Sequence, residues 1–210
     1  IVSYLQQSEL YIDHLQLNYY NSFKDNIYSK LSLGILESMY GGFGGEFLYT
    51  PFNKNISLSA SLHKVYRRDY DRKFDFLDYS TVTGHVEASY FNNKSNILAQ
   101  VSYGKYLAGD RGFTLDLSRV LDSGFRTGFY FTRTNVSFEL FGEGSFDKGF
   151  YFIIPFDIFS KKYSRGTINF AYAPLTRDGG QKLLLNKTIK SLIFNSNKYQ
   201  YDKYWHDFLN

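Results

Sequence analysis

The chain has 210 residues and no cysteine, so it can form no disulfide, thiolate metal site or cysteine nucleophile. No stretch approaches ~18 consecutive apolar residues, which excludes a transmembrane helix. No charged n-region leads into an apolar h-region, so no signal peptide is visible. The first residue is Ile1 rather than Met, and the chain is read as a mature protein or a piece of a longer one. No HxxxH, HExxH or GxSxG spacing occurs, which removes the commonest zinc and serine-hydrolase signatures. No nucleic-acid partner is expected, because 24 Lys and Arg are interspersed with 20 Asp and Glu and no polybasic run forms. Proline occurs three times, and methionine and tryptophan once each.

Against these absences, 20 Tyr, 21 Phe and one Trp make 20% of the chain aromatic. Soluble cores are built mostly from aliphatic side chains, whereas aromatic girdles belong to barrels that sit in a bilayer. The mean hydropathy of -0.34 does not oppose this. A spanning strand needs only ~9–11 residues with every second one apolar.

The dominant period is two. Ile56, Leu58, Ala60 and Leu62 alternate with Ser57, Ser59, Ser61 and His63. Val82, Val86, Ala88 and Tyr90 alternate with Thr83, His85, Glu87 and Ser89, and Phe113, Leu115 and Leu117 with Thr114, Asp116 and Ser118. Such alternation gives strands one greasy face and one polar face. About ten strands are expected, at 10–20, 27–37, 41–50, 54–66, 79–91, 96–104, 112–121, 124–134, 149–157 and 166–174. Asn92-Asn93-Lys94-Ser95-Asn96 and Asp122-Ser123-Gly124 read as tight turns. Longer links at 67–78, 105–111 and 135–148 predict an alternation of short and long loops, as in an up-and-down barrel. Residues 182–194 mix Leu183, Leu184 and Leu185 with Lys187 and Lys190, a poor lipid-facing strand that must return or fold back into the lumen. Tyr201 to Asn210 reads as a short amphipathic helix beyond the barrel wall.

Five segments in order carry a resemblance. They are Gly41-Gly42-Phe43-Gly44-Gly45-Glu46; Arg67-Arg68-Asp69-Tyr70-Asp71 running to Thr83-Gly84-His85; and Gly104-Lys105-Tyr106-Leu107-Ala108-Gly109-Asp110-Arg111-Gly112. The others are Phe141-Gly142-Glu143-Gly144-Ser145-Phe146-Asp147-Lys148-Gly149 with Ile154-Pro155-Phe156, and Ala173-Pro174-Leu175-Thr176-Arg177-Asp178-Gly179-Gly180. Together, over residues 37–181, they resemble the YjbH/GfcD-like family. The resemblance implies an outer-membrane β-barrel lipoprotein linked to exopolysaccharide and capsule export in the Gram-negative envelope. Members of that family are longer and carry a lipobox cysteine, so this chain is read as a C-terminal portion.

The expected fold is therefore all-β, an antiparallel up-and-down transmembrane barrel of about ten or more strands over 1–181, with 182–210 as a tail or fold-back. Glu46, His85, Glu87, Asp116 and Arg126 fall on polar faces and are expected to line the lumen, because charge on the lipid face costs ~2–4 kcal/mol near the midplane. There they form either a satisfied ion-pair network or a hydrated path. Arg67, Arg68, Asp69, Tyr70 and Asp71 form a charged loop that either contacts polymer or partners, or holds itself together. Asp110, Arg111, Glu143, Asp147, Lys148, Arg177 and Asp178 are expected in loops that contact polymer or partners. The Asp-Gly dipeptides among them also suit plain turns. No catalytic residue, metal ligand or cofactor is assigned. Expected partners are membrane lipid or lipopolysaccharide, an anionic polysaccharide and other export proteins. A scaffold barrel, an outer-membrane hydrolase and a soluble carbohydrate-binding sandwich are the rival readings.

Overall fold

The computed structural model describes residues 11–137, 146–159, 166–173 and 179–193. Ten strands form one antiparallel sheet in chain order: β1 (Leu15–Lys24), β2 (Ile27–Ile35), β3 (Tyr40–Tyr49), β4 (Ile56–Arg68), β5 (Phe76–Asn92), β6 (Ile97–Lys105), β7 (Arg111–Val120), β8 (Arg126–Thr134), β9 (Asp147–Pro155) and β10 (Thr167–Tyr172). Each strand pairs only with its sequence neighbours, so the all-β up-and-down topology expected from the alternation is present. Among the described residues β1 and β10 have one neighbour each, and the sheet is open. A one-turn helix, α1 (Ile189–Ile193), follows the last strand.

The registers put the apolar rows on one face. Leu62 stands opposite Gly84, Ala60 opposite Val86, Val101 opposite Ala88, and Phe129 opposite Leu117 and Phe150. This face carries solvent-exposed apolar side chains from one end of the sheet to the other: Leu17 is 74% exposed, Val86 65% and Phe170 54%. The other face is polar and mostly covered. Lys30, Glu46, His63, Thr83, Ser89, Ser102, Thr114, Ser118 and Thr132 are all buried there. The sheet is thus inverted relative to a soluble protein, whose large apolar patches rarely exceed a few hundred Å².

Several expected boundaries move. The first strand begins at Leu15 rather than residue 10 and runs on to a tight turn at Asp25-Asn26, where Asn26 takes a positive φ of 69°. Asparagine tolerates that conformation better than most residues. The long link expected at 67–78 contracts to 69–75, because β4 reaches Arg68 and β5 starts at Phe76, whose ring meets Tyr66 edge-on at 6.2 Å. Arg111, Asp147 and Lys148, expected in loops, open β7 and β9. Links on the two rims, such as 36–39 and 69–75 against 50–55 and 93–96, are of similar length. The expected alternation of short and long loops is absent over the first eight strands.

A small apolar cluster closes one end of the polar face. Leu36, Val65 and Leu107 are buried there, with Tyr40, Leu183 and Leu185 packed against them.

Candidate functional site on the polar face

Residues 179–193 lie against the polar face and give its charged groups their partners. The contacts start at the rim, where the Gly180 N–H donates to Asp110 Oδ2 at 2.8 Å and the Leu107 N–H donates to the Gln181 carbonyl at 3.0 Å. The Leu184 N–H donates to Glu37 Oε2 at 2.8 Å. Glu37 sits in the link between β2 and β3, and its burial lifts the carboxyl from an ordinary 4.5 to about 7, against the opposing pull of that N–H. Further along, Lys182 Nζ donates to Ser102 Oγ at 2.6 Å, and the Ile189 N–H donates to Glu46 Oε2 at 2.6 Å. Glu46 is also paired with the fully buried Lys30 at 3.7 Å, while Lys30 donates to the Lys187 carbonyl. Lys190 is ion-paired with Glu87 and donates to Ser89.

From Glu87 the network continues across five strands. Gln100 donates to Glu87 at 3.3 Å and accepts from Arg126 at 3.0 Å. Arg126 pairs with Asp116 at 3.6 Å and donates to Ser118 and to the Tyr151 hydroxyl, which in turn donates to Asp116 at 2.9 Å. Charged groups held away from water in this way need several partners each to offset desolvation. Glu46, Glu87, Asp116 and Arg126 all have them.

His85 shares the same face and behaves differently. Its ring meets Tyr106 edge-on at 4.6 Å, and its Nε2 is buried without a partner. His63, two positions along the neighbouring strand pair, is 3% exposed and its Nε2 is likewise unpartnered. Both rings lie against glycine. A Cβ built on Gly44 would fall 2.4 Å from the His63 ring, and one on Gly104 would fall 2.7 Å from the His85 ring.

The loop residues are placed separately from this network. Arg68 is fully buried and donates to the carbonyls of Ile12, Ser38, Arg72 and Lys73, so it pins the 69–75 turn and the chain before β1. Arg67 lies over the Tyr70 ring at 5.7 Å. Asp69 accepts from the Tyr70 N–H and Asp71 from the Lys73 N–H, both of which shape the turn itself. Asp110 is buried and holds Gly180. Arg111 is exposed, Asp147 is buried and accepts from the Tyr130 hydroxyl at 3.3 Å, and Lys148 lies over the Phe146 ring at 4.7 Å. Glu143, Arg177 and Asp178 lie outside the described residues. Sequence reasoning did not name Lys30, Gln100, Tyr151 and Lys182. Lys30 and Gln100 carried the same alternation signal as their neighbours, whereas nothing in the sequence around Lys182 points to Ser102.

An antiparallel meander with an exposed apolar face, and a charged face covered by its own chain, defines a class of inverted β-sheet proteins. The chain belongs to the YjbH family, whose model, described as exopolysaccharide biosynthesis protein YbjH, matches residues 1–193. It is 41% identical over 181 residues to the uncharacterized lipoprotein YjbH of Escherichia coli strain K12, a match covering 84% of this chain and 26% of that protein. The chain thus spans about a quarter of the length of this curated relative. No solved structure matches it.

Proposed function

We propose that the chain is a wall of an outer-membrane β-barrel that takes part in exopolysaccharide secretion or assembly, as a non-enzymatic component. The carrying observation is the face that every strand from β1 to β10 leaves apolar and exposed. An apolar surface of this extent, interrupted by Lys64 between Phe43 and Val82, needs a partner, and lipid is the partner that a ten-strand meander with tyrosines toward its rims would meet. The family description and the lipoprotein name of the relative support an envelope protein engaged in exopolysaccharide production. Lipid or lipopolysaccharide would contact the outer face, and polysaccharide or export proteins would contact the rims. Closure of the barrel would require β1 and β10 to find further strands or each other.

A second reading, a scaffold barrel that conducts nothing, is favoured by the segment 179–193 on the polar face. Planar-bilayer recording of the full-length protein separates the two. The secretion reading expects a conductance whose ion selectivity changes when Glu46, Glu87 and Asp116 are replaced by Ala. A folded protein that is silent both as wild type and with Lys190→Ala would leave the scaffold reading standing. Extraction from membranes without detergent would overturn both.

A further inference from the structure

Charge is sorted by face on β6 to β9. The acidic residues of these four strands, Asp116 and Asp147, both lie on the polar face, where Asp116 pairs with Arg126 and Asp147 is buried. The charged residues on the apolar face are all cations. Arg111 shares that face with Phe113 by alternation, Arg133 stands opposite Phe113, and Lys148 stands opposite Phe131. Lys105 stands opposite Arg111 and reaches the rim beside Gly109. Arg111, Arg133 and Lys148 are exposed, and among the described residues none of the four is in an ion pair.

All four sit at the rim that carries the 106–110 turn. Beside them the rings of Phe113, Phe131 and Phe146 pack in a row, with centroids 5.7 and 4.6 Å apart. Within these strands the other cation on the apolar face is Arg119, opposite the exposed Ile97 at the far end. Eight positions separate Arg111 from Arg119, roughly 26 Å of strand at ~3.3 Å per residue. Long basic side chains snorkel, so both guanidinium groups reach the edges of an apolar band ~25 Å tall. The four-cation row therefore lies at the level of lipid headgroups, next to an aromatic belt.

Such a row fits an anionic partner in the plane of the headgroups. It crosses three strand spacings, roughly 14 Å at ~4.8 Å each, too wide for one phosphate to bridge. A phosphate monoester carries about -1.5 to -2 near pH 7, so two of them match four cations. Arginine adds bidentate hydrogen bonds to phosphate oxygens. A phosphodiester lipid brings a single charge, and a free sugar acid brings no acyl chain for the rings beside the row.

We propose that Lys105, Arg111, Arg133 and Lys148 bind a lipid whose sugar head carries two phosphate monoesters held apart, the chemistry of lipid A, with its acyl chains against Phe113 and Phe131. The site rests on the outer-membrane reading and goes beyond it by narrowing the lipid to one headgroup at one rim. It also orients the sheet. The rim where Gly180 meets Asp110 faces the leaflet that holds this lipid.

The test titrates the full-length protein in detergent with diphosphoryl lipid A, monophosphoryl lipid A and phosphatidylglycerol, and counts bound lipids by native mass spectrometry. The expected result is a saturable diphosphoryl lipid A, with the other two lipids at least about tenfold weaker. Replacing Arg111 and Arg133 together by Gln should weaken it about tenfold or more. Lys148→Gln, a single exposed change, should weaken it in the same direction, and Arg119→Gln should leave it in place. Arg111→Lys with Arg133→Lys should hold it more tightly than the Gln pair. Unchanged lipid A binding in the Gln pair, in protein with wild-type circular dichroism, overturns the site. Equal binding of phosphatidylglycerol overturns the two-phosphate headgroup. Either failure in protein that still requires detergent leaves the membrane reading untouched. Extraction without detergent overturns the membrane reading itself, and the site with it.

Discussion

Single residues decide how tightly the polar face can close. Gly104 is the sharpest case. A Cβ there would lie 2.0 Å from the Gly84 carbonyl oxygen and 2.7 Å from the His85 ring, and the nearest obstacle is backbone that cannot rotate away. Gly104→Val should lower stability by ~1–3 kcal/mol through overpacking. Thermal or urea unfolding followed by circular dichroism in detergent would read this as a lower midpoint, and an unchanged midpoint would contradict the close packing. Glu37 gives a pH signature. Its folded-state pKa is raised to about 7 by burial, against the pull of the Leu184 N–H, so folding takes up a proton there. The stabilisation is fully present below about 4.5 and is lost as pH rises through about 7. The urea unfolding midpoint in detergent should therefore be higher at pH 5 than at pH 8, and Glu37→Gln should flatten that dependence.

At the scale of elements, what alternation encodes is what the sequence made legible. The strands from β2 to β10 fall within a few residues of their expected places, because rows such as Ile56 to His63 and Val82 to Ser89 can satisfy only one face each. Glu46, His85, Glu87, Asp116 and Arg126 share the polar face by the same logic. Loop lengths are less legible. Arg67 and Arg68 look like loop residues by charge, yet strand pairing carries them into β4, and Arg68 is then buried under carbonyls. A fold-back of residues 182–194 is legible in their mix of Leu and Lys, whereas the individual partners they give the polar face are not. Lys190 meets Glu87 from 103 positions away, and neither a period of two nor a period of 3.6 announces the extended run before α1. This contact makes its own prediction. Lys190→Ala removes the cation paired with Glu87 and leaves it Lys182 at longer range, a loss on the order of 1–3 kcal/mol for a partly buried charged group. Trypsin cleavage at Lys182 and Lys187 should then accelerate several-fold relative to a Lys24→Ala control, as expected when the segment opens locally. Equal cleavage rates would detach the ion pair from the docking.

For the whole molecule, the account rests on the inverted sheet. Its apolar rows are exposed over ten strands, and Lys30, Glu46 and Glu87 on the opposite face are partnered by residues 179–193. In water this arrangement would aggregate along the exposed face. In a bilayer the same rows are solvated by lipid and the charges stay away from it. The most direct measurement uses the absence of cysteine from this chain. Single cysteines are placed in turn at Val86, Glu87, Ala88, Ser89 and Tyr90, spin-labelled, and read by electron paramagnetic resonance with oxygen and a water-soluble nickel complex in reconstituted bilayers. The account predicts high oxygen access at 86, 88 and 90 and low access at 87 and 89, a strict period of two. Nickel access at positions 86, 88 and 90, or no alternation, would contradict a lipid-facing sheet.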